Sequence, residues 1–314
     1  MLVAVAAGCA TQAGGDGLER PHGPTTTSVA PTTTATSTTT TSPAHRTTVA
    51  PVDVHSLRPP TPAGDPAALA AQIMAAEATL RDPSVGELAA ATAALAQQVA
   101  YRQLGSHPEW DGAVLDAVPP DLRSTVMRHA AARREFRGMH RTLSSTLPTW
   151  RIVPPEPAAL LLATYQEAEA AFGIPWRYLA AINLVETATG RIRGTSIAGA
   201  QGPMQFMPAT WEAYGEGGDV NSTRDAIMGA ARYLAANNGA VDIAGALYRY
   251  NHSERYVRGV RLYADLMLDH PRAFHAFHGW GVWYLTDQGE VYLPVGYEAA
   301  APIPVSDYRA QHDG

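Results

Sequence analysis

Two long blocks of helical periodicity constrain this chain more than any other feature. From Asp65 to about Leu143, Ala-rich stretches such as PAALAAQIMAAEATL and VGELAAATAALAQQVAYRQL combine high helix propensity with apolar residues at helical spacing. Pro108, Pro119 and Pro120 punctuate this block. The second block runs from Pro157 to about Asp269. PAALLLATYQEAEAAFG ends on the C-capping Gly173, and Pro175 opens WRYLAAINLVET. Pro208 opens PATWEAYG, Ser222 or Thr223 caps DAIMGAARYLAANNG, Asp242 precedes IAGALYRYN, and Ser253 caps ERYVRGVRLYADLML. In the last of these, Tyr256, Val257, Val260, Tyr263, Ala264 and Met267 form one apolar stripe, which reads as core. Strand character is confined to the end of the chain. There VWYL and EVYLP alternate apolar and polar residues around the turn TDQG and predict a β-hairpin. The expectation is a mainly α chain with a short C-terminal hairpin and no internal repeat.

The beginning of the chain is of another kind. Residues 24–50 are dominated by Thr, Pro, Ser and Ala, and almost nothing there can be buried to offset the entropy of ordering. Such a stretch reads as an extended tether. Before it, MLVAVAAGC places an apolar run and small residues ahead of Cys9, like the tail of a bacterial lipoprotein signal whose cysteine is lipidated. The apolar run is short and no basic segment precedes it; a start codon upstream of Met1 is the simplest repair. The bland alternative for Cys9 is an incidental buried or surface thiol. No internal stretch reaches the ~18 apolar residues that span a bilayer. The expected organisation is a lipoprotein signal remnant over 1–9, a linker over 10–63, a helical N-terminal region over 64–150, a catalytic domain over 151–270, and a C-terminal hairpin and tail over 271–314.

Composition excludes several classes of function. A formal charge of −6 argues against nucleic acid as the main partner, because phosphate binding relies on a basic surface. A single cysteine in 314 residues leaves no internal disulfide framework and no cysteine-based zinc site. His275 and His278 are three residues apart but lack a third ligand, and the turn from Asp219 to Ser222 lacks the acid spacing of a calcium loop. No metal and no cofactor is implied. Arg123, Arg128, Arg133, Arg134, Arg137 and Arg141 follow one another on the helix from Asp121. They read as a solvated face, with an anionic wall or membrane surface as the alternative.

The stretch ETATGRIRGTSIAGAQGPMQFMPATW, residues 186–211, carries the chemistry. Glu186 lies near the end of an apolar helix and shares a face with Ile182 and Asn183. A carboxyl beside an apolar flank loses hydration, which penalises its charged form and raises its pKa. A raised-pKa carboxylic acid can protonate a glycosidic oxygen. Taken alone, such a glutamate is more simply an exposed acid at a helix end. The neighbourhood alters that reading. Gly190, Gly194, Gly199 and Gly202 permit close backbone approach to a ligand, and Met204, Gln205 and Phe206 add an apolar floor, an amide and an aromatic ring. An amide beside an apolar surface suits a sugar, with its hydroxyl rim and C–H faces.

Three motifs then occur in order: Glu-Thr; Ser-x-x-Gly-Ala-x-Gly-x-Met-Gln-Phe-Met-Pro-x-Thr-Trp; and Leu-Tyr-x-Tyr-Asn. Together they resemble the bacterial peptidoglycan lytic transglycosylases with a soluble-transglycosylase (SLT) catalytic domain. The Tyr-Asn-His-Ser stretch is similar to actinobacterial members. The resemblance covers about residues 157–268 and implies a goose-lysozyme-like helical fold. It implies that Glu186 is the single catalytic acid/base and that Ser196 lies near the substrate. Met204 and Gln205 would line the glycan groove, with Tyr250 and Asn251 closing the site opposite Glu186. Thr187, Pro203 and His252-Ser253 depart from the residues common in the family, which bears on subsite detail.

A single acid implies a particular reaction. Protonated Glu186 would donate to the oxygen joining N-acetylmuramic acid to N-acetylglucosamine. The substrate's own acetamido group would support the developing positive charge, with Tyr250 positioning that group or the glutamate. Ionised Glu186 would then act as base on the muramoyl 6-hydroxyl, giving a 1,6-anhydro product by intramolecular attack. A second carboxylate among Glu212, Glu216, Asp219 and Asp225 would instead position water and make the protein a muramidase. A wall-binding protein without activity, its helices over 65–143 docking envelope proteins, is the alternative outside catalysis. The expected partners are the peptidoglycan strand and, through the lipid anchor, the outer face of the cytoplasmic membrane. The expected location is extracytoplasmic.

Overall fold

Asp65 accepts the Ala68 amide hydrogen at 2.8 Å, and Pro66 takes the first helical position, so the chain enters α1 (Pro66–Arg81) on a capped end. The structure is a computed structural model and describes residues 53–270 and 272–312. Cys9 and the Thr/Pro/Ser-rich tether lie outside the described residues. After α1 come α2 (Glu87–Ser106), α3 (Asp111–Ala117) and α4 (Pro120–Arg137), each new start falling at the prolines or glycine that interrupt the periodic sequence.

The second helical block holds α5 (Ala158–Phe172), α6 (Trp176–Thr187), α7 (Pro208–Tyr214), α8 (Thr223–Ala236), α9 (Ile243–Tyr250) and α10 (Glu254–Asp269). Gly173 ends α5 in the left-handed region at φ 71°. Side chains of Ser222, Asp242 and Ser253 accept the amide hydrogens of Asp225, Gly245 and Tyr256, which caps α8, α9 and α10. Glu169, on α5, accepts the first amide of α6 at 3.1 Å.

The apolar stripe of α10 is buried along its whole length and lies between α6 and α4. Its close approach to α4 depends on Gly259, where a Cβ would meet the Phe136 ring at 2.5 Å. One hydrophobic core therefore runs through both helical blocks, from Leu80, Ala94 and Phe136 to Ile182, Leu234 and Val260. The arginine run is a solvated face only in part, for Arg123 and Arg141 are exposed while others are held by carboxylates. Arg133 is buried and shares Glu290 with Arg102 and Arg137, while Arg134 holds Asp111 at 2.7 Å and Arg128 holds Asp269. Helical spacing reports which residues share a face, and tertiary partners decide whether that face sees water.

The remaining elements are short. Three two-stranded antiparallel sheets pair β1 (Thr146–Leu147) with β6 (Ile303–Pro304), β2 (Arg151–Ile152) with β3 (Ile192–Arg193), and β4 (Val282–Thr286) with β5 (Gly289–Leu293). The last pair is the hairpin expected from sequence, turning through Asp287-Gln288, with Thr286 Oγ1 donating to the Gly289 carbonyl at 2.6 Å. Helices α11 (Ala273–His278) and α12 (Val305–His312) flank it. A second core cluster joins Trp150, Ile152, Val282, Leu293 and Val305 to Ile192 and Ala188, so the hairpin region packs against the chain two residues beyond Glu186. The fold is mainly α with a short C-terminal hairpin, as the periodicity implies.

Candidate active site

The sequence between α6 and α7 forces the chain out of a buried helix and through a tight loop. Ala188 and Thr189 adopt φ of 53° and 60°, a conformation that costs a non-glycine residue roughly 1–2 kcal/mol. Side-chain hydrogen bonds hold this turn. Thr187 Oγ1 donates to the Pro203 carbonyl at 2.6 Å and accepts the Gly190 amide at 3.1 Å. Asn183 Nδ2 donates to the same Pro203 carbonyl at 2.8 Å, and Asn183 Oδ1 accepts from the Tyr165 hydroxyl at 2.6 Å. The 202–206 loop is thereby fixed to the last turn of α6, where Glu186 sits. Gly202 permits this arrangement: at φ 71° a Cβ there would overlap the Val220 carbonyl oxygen.

Glu186 is 5% exposed. Its Oε1 accepts a hydrogen bond from the Tyr256 hydroxyl at 2.8 Å. Burial raises its pKa to about 8, against a smaller opposing effect of the Tyr256 hydroxyl, which favours the charged form. No neighbouring carboxylate contributes to the shift. At neutral pH the group is therefore mainly a protonated acid, with Oε1 engaged as an acceptor.

Tyr256 leads from Glu186 to other residues singled out in the sequence. Its ring stacks on that of Tyr250, with centroids 6.4 Å apart and planes 8° from parallel. The Tyr250 hydroxyl donates to the Met204 carbonyl at 2.6 Å, and the Tyr250 ring meets Phe206 edge-on. Met204 is fully buried, whereas Gln205 is half-buried at φ 52° with its amide donating to the Gly202 carbonyl at 3.0 Å. Asn251 is buried at the end of α9. Glu186, Tyr256, Tyr250 and Met204 thus lie along one path of contacts, and Gln205 follows Met204 in the chain. Ser196 stands in a different setting. Its hydroxyl accepts the Ala200 amide at 3.0 Å, and it lines a cleft with residues 142–150 and 284–285.

The residue that sequence reading missed is Tyr256. Its place in the apolar stripe of α10 is as expected, but nothing in helical spacing reveals that its hydroxyl reaches a carboxyl 70 positions away. A phenol in a core stripe does carry a signal, since a buried tyrosine hydroxyl needs a partner. Three of the other four acids are engaged elsewhere. Glu216 pairs with Arg232 at 2.7 Å, Asp225 accepts the Asp219 amide at 3.1 Å, Asp219 accepts the Asn221 amide at 2.9 Å, and Glu212 is exposed. Nε2 of His278 donates to the Glu156 carbonyl at 2.8 Å, and burial lowers its pKa to about 4; His275 is exposed. Among the described residues no group of three or more His, Cys, Asp or Glu side chains could hold a metal ion, and no helix is long and apolar enough to cross a membrane.

Part of the chain is similar to known proteins. Residues 163–264 match the transglycosylase SLT domain. Over 71 residues the chain is 41% identical to a membrane-bound lytic murein transglycosylase F of Thiobacillus denitrificans (strain ATCC 25259 / T1). That alignment covers 23% of this chain and 15% of the relative. No solved structure matches the chain.

Proposed function

From a chain that carries a transglycosylase SLT domain over residues 163–264, we infer a peptidoglycan lytic transglycosylase in which Glu186 is the single acid and base. The observation that carries this reading is the buried carboxyl of Glu186, one oxygen held by Tyr256, in surroundings that raise its pKa and favour the neutral acid. A general acid must be protonated at the working pH and within reach of its acceptor. With Oε1 accepting from Tyr256, Oε2 is the oxygen left to carry the proton. It is delivered to the glycosidic oxygen between N-acetylmuramic acid and N-acetylglucosamine, and the sugar carbon develops positive charge. The departing proton leaves a carboxylate, which the Tyr256 hydroxyl stabilises by a charge-assisted hydrogen bond. That carboxylate accepts the proton of the muramoyl 6-hydroxyl as its oxygen closes on the anomeric carbon. The 1,6-anhydro ring forms and the glutamic acid is restored.

Hydrolysis on the same fold is the alternative. In an inverting enzyme a second carboxylate activates the water from the opposite face. The engagement of Glu216, Asp219 and Asp225 with other groups favours the anhydro route. The helix α9 and the loop over 202–206 offer the partly exposed Tyr250 and Gln205 as walls of a glycan groove, whereas Met204 and Asn251 are buried and can only support those walls from behind. Anchoring through a lipidated Cys9, with the Thr/Pro/Ser-rich segment as tether, would hold the enzyme on the outer face of the membrane beside its wall substrate.

Digestion of purified sacculi by the wild type and by Glu186→Gln, with product masses measured, tests the assignment. Anhydro products released by the wild type alone are expected. Products heavier by one water would make the protein a muramidase, and equal release by both forms would remove Glu186 from the chemistry.

A further inference from the structure

Around the last turn of α4, arginines outnumber the carboxylates that answer them. Arg133 and Arg137 share Glu290 of the hairpin with Arg102 of α2. Arg255 and Arg258, from the first two turns of α10, share Glu135 of α4. Arg141, just past the helix, is exposed and pairs with no carboxylate among the described residues. Glu254 acts on Arg258 from the start of α10. Six arginines thus stand with three carboxylates, an excess of three positive charges in a chain whose net charge is −6. The two clusters meet at Gly138, where a Cβ would lie 2.6 Å from Arg255 Nη1. The Arg255 guanidinium therefore rests on the C-terminal end of α4, where the backbone dipoles favour a cation.

The excess is not absorbed inside the protein. Arg102 Nη1 and Arg133 Nε are buried and have no hydrogen-bond acceptor among the described residues. A buried cation whose donors lack acceptors is costly, and the low dielectric around it screens its charge little. His140 responds to that charge: burial and the nearness of Arg133 and Arg137 hold it below its ordinary pKa. At the surface, donors remain for an outside partner. Glu135 takes only Nη1 of Arg255, and Nε and Nη2 of Arg258, and both side chains are exposed. The patch is a joint product of the two helical blocks. Residues 163–264, which match the SLT domain, supply Arg255 and Arg258; α4 supplies the rest of the surface because Gly259 lets it close on α10.

We propose that this joint surface of α4 and α10 docks a water-borne chain of phosphodiester groups, of the polyol-phosphate class. Charge complementarity selects an anion, and the charge of the remaining chain confines it: nine net negative charges elsewhere would repel a polyanion from any other approach. Guanidinium forks match phosphate oxygens. The tetrahedral phosphodiester lets neighbouring forks share one group, whereas a planar carboxylate is spanned by a single fork, as Glu135 is by Arg258. A lipid surface is the poorer match. Binding there joins basic to inserted apolar side chains, and no large apolar residue is exposed on the last turn of α4 or the first two turns of α10. Nothing in this reading involves Glu186. For an enzyme of the cell wall, the contact holds the protein against an anionic polymer while the catalytic site acts on glycan.

The test measures binding of the full chain to a synthetic glycerol-phosphate decamer by calorimetry at two salt concentrations. Three phosphates neutralised should make the affinity fall roughly twentyfold between about 50 and 200 mM salt. Arg141→Gln and Arg258→Gln together should weaken binding by on the order of tenfold and reduce that salt effect to about threefold. Arg141→Gln alone should act in the same direction; it breaks no ion pair, so its effect cannot come from misfolding. Arg123→Gln, exposed near the start of α4 and away from the patch, should bind like the wild type. An equal loss in Arg123→Gln would reduce the effect to overall charge and overturn the proposal. So would equal affinity for a polyglutamate of the same charge, or binding to phosphatidylglycerol vesicles without binding to the decamer. The decamer contains no glycosidic bond, so its binding and the digestion of sacculi succeed or fail separately.

Discussion

The Tyr256 hydroxyl donates to Glu186 Oε1 across 2.8 Å, joining the first turn of α10 to the last turn of α6. The bond stabilises the ionised carboxyl, while burial of the same group favours the neutral acid. A single side chain thus lies between two opposing influences, which suits a group that must release a proton and later recover it.

Replacing Tyr256 with Phe removes the influence that favours the anion. The alkaline limb of kcat/KM, expected near pH 8 in the wild type, should move upward. The rate on the plateau should fall by on the order of tenfold or more, since hydrogen bonds to charged groups are worth about 1.5–3 kcal/mol. A pH–rate profile identical to that of the wild type would remove Tyr256 from the proton transfer.

Glu186 also carries a stability signature. Its folded pKa of about 8 exceeds the ordinary 4.5, so between those values the folded state keeps a proton that the unfolded state has lost. Stability is undiminished below about pH 4.5 and declines as pH rises through about 8. Glu186→Gln cannot ionise and escapes the decline. Its advantage over the wild type should grow with pH to on the order of 4 kcal/mol, at 1.36 kcal/mol per pKa unit. Denaturant unfolding at pH 5 and pH 8 measures this, and a constant difference between the two proteins would contradict it.

Gly202→Ala is expected to unseat the 202–206 loop, because the new Cβ collides with the Val220 carbonyl and the backbone stands at φ 71°. The resulting loss should exceed the roughly 1 kcal/mol of an ordinary left-handed alanine, because backbone must move as well. Gly199→Ala, at φ 91° but with open space around it, isolates the conformational cost alone. Equal melting temperatures for the two variants would show that the Val220 collision does not matter.

Glu290 on the hairpin neutralises a cluster of arginines, two of them buried, and the proximity of Arg102 and Arg133 holds its carboxyl below the usual range. Arg102 itself is lowered to about 9, chiefly by burial. Glu290→Ala leaves those cations without a counter-charge and should cost about 3 kcal/mol or more in chemical unfolding. The rate on short glycans at 25 °C should survive, since no residue of the Glu186 path is involved. Unaltered stability would mean that water reaches the arginines.

Much of the architecture was legible in the residues before any tertiary contact was known. Asp65, Ser222, Asp242 and Ser253 cap the helices they precede, Gly173 ends α5, and the TDQG turn makes the hairpin, because these effects act within a few residues. Glu186 could likewise be singled out from its apolar flank and the glycine-rich loop that follows. What the chain order leaves open is which distant group meets each side chain. The spacing that correctly buried Tyr256 is blind to its hydroxyl, and Arg133 and Arg137 of α4 found their shared carboxylate on a hairpin more than 150 residues away. The cleft beside Ser196 likewise exists only because β2 and β3 pair. Local propensity and periodicity decide which elements form and which faces are buried; hydrogen bonds, ion pairs and clefts depend on how those elements pack, and packing is a property of the whole chain.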